Sequence, residues 1–238
     1  MTVDPARLSQ LVAALRPSPW VADLFPEQRA VVRDKSRFKA VTTSRRGGKT
    51  ILLCALAAEA LEASGPDEVT LYIAKTRSAA RELIWGKLKA LASTYSLPWT
   101  FNESTLRVET PRGGVLLVRA AEGSDPEDER EKLRGLKLRR ALLDEPATYS
   151  GTLKVLLRDV IDPALGDLGG DVIISGTPGL VMAGTWFEIS KGRISKWKTF
   201  HWTIRNNPFF KDAESYLASV LKDNGWTPDH PTYQREYE

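Results

Sequence analysis

Lys49, Thr50, Asp144 and Glu145 are the residues of this sequence whose types and surroundings suit phosphate chemistry. Lys49 and Thr50 close the stretch Ser44-Arg45-Arg46-Gly47-Gly48-Lys49-Thr50, the intact second half of the pattern G-x-x-x-x-G-K-[ST]. Thr43 stands at the place of the pattern's first glycine. Gly47 and Gly48 let the backbone turn so that successive N–H groups face phosphate oxygens, where a helix N-terminus adds partial positive charge. Lys49 then reaches the β- and γ-phosphates, and the Thr50 hydroxyl suits Mg²⁺. Asp144 and Glu145 follow the apolar run Ala141-Leu142-Leu143. Asp144 can hold the metal through its water shell, while Glu145 orients and polarises an attacking water. Each half alone has a plainer reading, a Gly-Gly turn in one case and an acid-rich helix start in the other. Together they point to Mg²⁺-dependent hydrolysis of a nucleoside triphosphate.

Two further residues gain meaning only from their place relative to this pair. Gln28 lies on a short helical stretch, Phe25 to Val32, upstream of the phosphate loop, where its amide can pair with an adenine edge. Thr177 follows a buried-type strand, Asp171 to Ser175, and its hydroxyl is placed to sense the γ-phosphate.

These side chains require strands that end together. Lys39 to Thr43 reads as a strand and Ile51 to Leu61 as an apolar helix that stops at Ser64-Gly65-Pro66. Val69 to Ala74 is a second strand, followed by a helix from about Ala79 to Leu91, so the pattern predicts a parallel sheet crossed by helices. Lys75, Arg77 and Arg81 then sit at the carboxyl end of that strand, facing either DNA phosphates or solvent. Leu106 to Thr110 and Val115 to Ala120 flank Pro111-Arg112-Gly113-Gly114 and read as a hairpin. A helical stretch is predicted over Leu153 to Val160 and another over Asp212 to Lys222. The βα rhythm fades after Leu180. The organisation predicted is therefore an α/β phosphate-loop core over residues 1–180, opening with an amphipathic lead-in over residues 1–24, and a small lid-like subdomain over 181–238.

Composition narrows the class. The 238 residues suffice for a substantial core, and 42% hydrophobic against 27% charged residues argues against long disorder. Apolar runs are too short to span a bilayer, and no signal-peptide pattern opens the chain, so a cytoplasmic protein without a membrane partner is expected. Cys54, the single cysteine, reads as a core filler, and His201 and His230 lack companions for zinc. The net charge of +4 is a mild pointer to an anionic partner. An acidic run, Asp125 to Glu131, precedes a basic run, Lys132 to Arg140, and both read as solvated surface.

The order of motifs resembles the ATPase domain of phage terminase large subunits, the DNA-packaging motors, from about Phe25 to the C-terminus. Ser44 to Thr50, Leu133-Arg134-Gly135 and Ser175-Gly176-Thr177 carry the resemblance. It implies a P-loop NTPase fold of the RecA/ASCE kind with a mainly parallel central sheet, ATP and Mg²⁺ as ligands, and translocation of double-stranded DNA. It further implies Gln28 as the adenine contact, Arg45 as a loop arginine responsive to nucleotide state, Thr177 in the coupling motif and Arg134 as a finger reaching a neighbouring subunit. Arg139 and Arg140 lie close enough in sequence to compete for that last role. The partners implied are the portal protein, the small terminase subunit and further copies in a ring, with a monomer in isolation. Full-length members continue into a nuclease; this chain stops before one fits, so DNA cleavage is not expected of it. A helicase-type DNA-dependent ATPase and a non-hydrolysing nucleotide-binding assembly protein are the competing readings.

Overall fold

The sheet is built around strands buried on both faces, as parallel strands covered by helices must be. In the computed structural model, which describes residues 18–122, 133–149, 151–179 and 182–238, β1 (Phe38–Thr43), β2 (Glu68–Ala74), β3 (Thr100–Asn102), β4 (Arg107–Glu109), β5 (Val115–Ala120), β6 (Lys137–Asp144), β7 (Asp171–Gly176) and β8 (Lys198–Trp202) form one sheet. Its order is β3-β4-β5-β2-β6-β7-β1-β8. From β5 to β8 every neighbouring pair is parallel. β3 and β4 add an antiparallel edge, and β4 with β5 is the predicted hairpin. Residues 1–17 of the expected lead-in and the acidic run Asp125 to Glu131 lie outside the described residues.

The helix Lys49–Ala63 buries residues around its whole circumference, Leu52, Leu53, Cys54, Leu56 and Leu61 among them. A helix apolar on all sides needs cover on all sides. The sheet covers one side, and Trp20, Phe25 and Val31 with Trp85 and Leu88 cover the other. The opposite sheet face packs on Leu153, Leu156, Val160, Ile161, Trp186 and Ile189. β1 and β2 are parallel but not adjacent, since β7 and β6 lie between them. The phosphate-loop strand and the acid-bearing strand are therefore one strand apart, and both end on the same edge.

The boundary expected at residue 180 falls inside this sheet. β8 pairs with β1 from Lys39↔Lys198 to Thr43↔Trp202, so the core sheet runs on through Trp202. A separate small apolar cluster of Ile204, Leu217 and Tyr233, ringed by Phe210, Tyr216 and Trp226, follows it.

The basic run before Asp144 is not all solvated. Arg140 donates from Nε and Nη2 to the two oxygens of Asp171 at 2.7 Å each, and from Nη1 to Leu56 O at 3.0 Å. Glu59 completes its surroundings at 3.2 Å. Arg139 pairs with Glu68 through two nitrogens. Lys39 is buried beside them, and burial pushes its pKa down. These residues clamp the amino ends of β1, β6 and β7. Removing one partner of such a buried pair strands the other charge. Arg140→Ala is expected to lose about 3 kcal/mol of unfolding free energy, whereas Lys198→Ala on the exposed edge strand should stay within about 0.5 kcal/mol; urea titrations of both variants check this.

Candidate functional site

The loop Ser44–Gly48 folds back on the strand that delivers it. A Cβ at Gly47 would fall 1.9 Å from Thr43 Oγ1, so position 47 must be glycine while Thr43 keeps its side chain. Gly48 has φ +82°, the left-handed region that glycine enters without strain, and it caps the Lys49 helix. Three loop carbonyls are held from outside. Asn207 Nδ2 donates to Arg46 O at 2.7 Å, Trp202 Nε1 to Gly47 O at 2.6 Å and Gln28 Nε2 to Gly48 O at 2.9 Å. The C=O and N–H of a trans peptide point in opposite directions. The amides of Gly48 and Lys49 therefore point away from the Trp202 and Gln28 anchors, beside the unpaired N–H groups of the helix start. That arrangement is an anion cradle.

The acidic pair meets this loop directly. Lys49 Nζ lies 3.1 Å from Glu145 Oε1. Glu145 itself has φ +51° and ψ +53°, a left-handed backbone rare in residues with a Cβ, and its N–H is fixed on Ser175 O at 2.8 Å. Its second carboxylate oxygen accepts from Thr177 N at 3.1 Å and Thr177 Oγ1 at 3.2 Å. Gly176 makes room, since a Cβ there would meet Pro146 Cδ at 2.9 Å and Glu145 Oε2 at 3.2 Å. Thr177 O in turn accepts from Trp186 Nε1 at 3.0 Å.

Asp144 is 2% exposed, and Tyr72 donates its hydroxyl to Asp144 Oδ2 at 2.6 Å. Tyr149 Oη lies 2.8 Å from Asp144 O and 2.9 Å from Ile73 O. Burial above all, with the Glu145 charge adding to it, pushes the Asp144 carboxyl up to about 6, against the pull of the Tyr72 hydrogen bond and of Lys49. A nearby cation would favour the ionised form. The donors here are all oxygens, the Asp144 carboxylate with the Thr50 hydroxyl in the first helical turn, and the fully buried Ser175 hydroxyl on β7 has no partner among the described residues. That set suits a hard ion that keeps much of its water shell, and Mg²⁺ fits it.

Most of the predicted residues converge here. Lys49, Asp144, Glu145 and Thr177 share one edge of the sheet, with Thr50 next to Lys49 and Gly47 and Gly48 in the loop. Gln28 reaches the loop differently from expectation. It is 2% exposed, its Nε2 is bound to Gly48 O, and its Oε1 accepts from Phe25 N at 3.3 Å. Through these two bonds it braces the loop. Ser44 Oγ accepts from Ile204 N at 2.7 Å. Arg45 is turned to Glu236, through its Nε and through a 2.7 Å bond from its N–H to Glu236 O. Arg46 stands over the Phe210 and Tyr216 rings, 5.8 Å from each centroid. Arg134 is exposed, ahead of the first residue of β6, and about 25 Å of strand at 3.3 Å per residue separates it from Asp144. Arg139 and Arg140 are engaged at that same amino end. Tyr72, Trp202 and Glu236 were not legible as site residues. Tyr72 sits in an apolar strand where an aromatic reads as core, and only the register Tyr72↔Leu142 reveals that its hydroxyl reaches Asp144.

No protein-family model matches the sequence, and no curated protein is similar enough to match it. Solved structures do match. The large-terminase ATPase domain of Thermus phage P74-26 is 20% identical with a TM-score of 0.68, over 94% of this chain and 98% of that one. The HK97 bacteriophage large terminase is 16% identical with a TM-score of 0.67, over 94% of this chain and 50% of that one. The large terminase of a thermophilic bacteriophage, in complex with ATP-γ-S, is 15% identical with a TM-score of 0.65, over 90% of this chain and 51% of that one. The chain thus has the fold of the large-terminase ATPase domains.

Burial of the Asp144 carboxyl makes the stability of the fold depend on pH. The carboxyl titrates near 3.8 when unfolded and at about 6 when folded, so the folded state holds the proton more tightly and this group's contribution to stability falls as pH rises between the two. In metal-free buffer Asp144→Asn is expected to flatten that slope and to be more stable than the parent at pH 7.5 by about 3 kcal/mol, read from urea titrations across pH 4 to 8.

Proposed function

We propose that this chain is a Mg²⁺-dependent ATP hydrolase and the motor domain of a DNA-packaging terminase. The observation that carries the reading is the 3.1 Å contact between Lys49 and Glu145, which brings a phosphate-binding lysine and a carboxylate from a separate strand to one point. The likeness to the terminase ATPase domains supports it, as does the thermophilic-phage relative solved with ATP-γ-S.

The triphosphate binds where the Gly48 and Lys49 amides and the helix N-terminus concentrate positive potential. Lys49 exchanges Glu145 for phosphate oxygens, a swap between anions that leaves its charge paired throughout. Glu145 is thereby released to its second task. Its Oε2 stays on Thr177, so the carboxylate is held in place while Oε1 orients a water and takes its proton. Thr50 and Asp144 would hold Mg²⁺, which would supply positive charge to offset that of the triphosphate. Thr177 is bound to the carboxylate that faces the γ-phosphate and through its carbonyl to Trp186, so loss of that phosphate is transmitted to the helix Thr185–Ser190. Arg134, exposed at the far end of β6, is the candidate to complete a neighbour's site in a ring. Double-stranded DNA is the polymer moved, with the portal protein and the small terminase subunit as assembly partners in the host cytoplasm. No helix among the described residues is long and apolar enough to cross a membrane.

Turnover measured at high protein concentration separates the roles. Lys49→Ala should weaken ATP binding by at least about tenfold, while Glu145→Gln should bind ATP nearly as the parent does and turn it over roughly a hundredfold more slowly. Parent-like turnover in both variants would remove the catalytic assignment.

A further inference from the structure

Ser175 is fully buried, and its Oγ has no hydrogen-bond partner among the described residues. A hydroxyl kept in that condition is costly, and native structures rarely tolerate it without a reason. Its surroundings supply one. Ser175 is in register with Asp144 on one side and with Val41 on the other, so it lies on the strand between the phosphate-loop strand and the acid-bearing strand. Residues in register on neighbouring strands share a face, and Val41, Leu142 and Ile173 place that face under the Lys49 helix. The Asp144 carboxylate points to the same side, where Tyr72 binds its Oδ2. Five other buried side-chain atoms among the described residues also lack partners, Trp20 Nε1, Oγ1 of Thr42, Thr70 and Thr152, and Asp162 Oδ1, but none belongs to a residue in register with Asp144. Neighbouring strands run about 4.8 Å apart, and a single water making two bonds of about 2.8 Å spans that gap.

We propose that the Ser175 hydroxyl is a positioning group that holds a water of the Mg²⁺ hydration shell together with Asp144. The inference rests on the Mg²⁺-ATP reading above and adds to it a residue that binds neither nucleotide nor metal directly. Mg²⁺ keeps several of its waters when bound, so groups that orient those waters contribute to its affinity. The unpaired hydroxyl is then satisfied only in the loaded state.

The test is calorimetric binding of a non-hydrolysable ATP analogue to the whole chain across a Mg²⁺ titration and in excess chelator. Ser175→Ala removes the hydroxyl without adding volume. It should move the Mg²⁺ midpoint up by about tenfold, leave binding in chelator unchanged and leave the apo melting temperature no lower than the parent's. An unmoved midpoint would overturn the inference. So would an equal loss of affinity with and without Mg²⁺, the mark of a merely structural serine. Asp144→Asn, run alongside, separates the two layers. If it shifts the midpoint and Ser175→Ala does not, only the water-positioning role fails; if neither shifts it, the metal site itself is overturned and the inference with it.

Discussion

The Lys49–Glu145 ion pair is the contact on which the rest of the site depends. It closes the distance between two strands that are not neighbours, with β7 between them. Each partner is prepared separately. Lys49 is fixed by a helix buried around its circumference, and Glu145 by a left-handed backbone pinned to Ser175 O. The lysine side chain is 13% exposed and the carboxylate 31%, so the pair is neither fully sealed nor freely solvated. A partly shielded pair of this kind can be exchanged for a stronger anionic partner without stranding a charge in the interior. In the proposed function the contact is the closed form of a site that opens to a triphosphate.

Two sets of contacts lead away from that point. On one side Glu145 holds Thr177, and Thr177 O holds Trp186, itself packed into the core below the sheet. On the other, the loop is gripped by residues far along the chain: Trp202 on Gly47 O, Ile204 on Ser44 Oγ, Asn207 on Arg46 O and Glu236 on Arg45. Arg46, over the Phe210 and Tyr216 rings, joins the loop to the small C-terminal cluster. The loop is thereby tied to that cluster, and Glu145 to the Trp186 helix through Thr177. The sheet provides the fixed frame, since Arg140, Asp171 and Glu59 lock its amino end away from the chemistry.

What could be read from the sequence was what local pattern encodes. The strand-loop-helix around Gly47 to Thr50, the acids ending an apolar strand and the hairpin over residues 106–120 depend on neighbours in the chain, and each stands where it was expected. What was missed depends on distant register. β8 is only five residues long and sets Lys198 and His201 among Thr199, Phe200 and Trp202, so only its pairing with β1 shows that it belongs to the sheet. Arg140 looks like its basic neighbours until the fold sets it against Asp171 and Glu59. Gln28 was singled out for its neighbourhood, and the fold adds a contact that sequence could not show, the bond from its Nε2 to Gly48 O. The partnerless hydroxyl of Ser175 has no signature in sequence, since serine is common at the end of any strand.

The exchange of partners at Lys49 is the centre of the account, and an experimental structure with a non-hydrolysable ATP analogue and Mg²⁺ tests it most directly. Lys49 Nζ is expected to have left Glu145 for the β- and γ-phosphate oxygens, with Glu145 Oε2 still on Thr177 and its Oε1 turned to a water in line with the γ-phosphorus. Nucleotide bound elsewhere, with the Lys49–Glu145 pair intact, would contradict it.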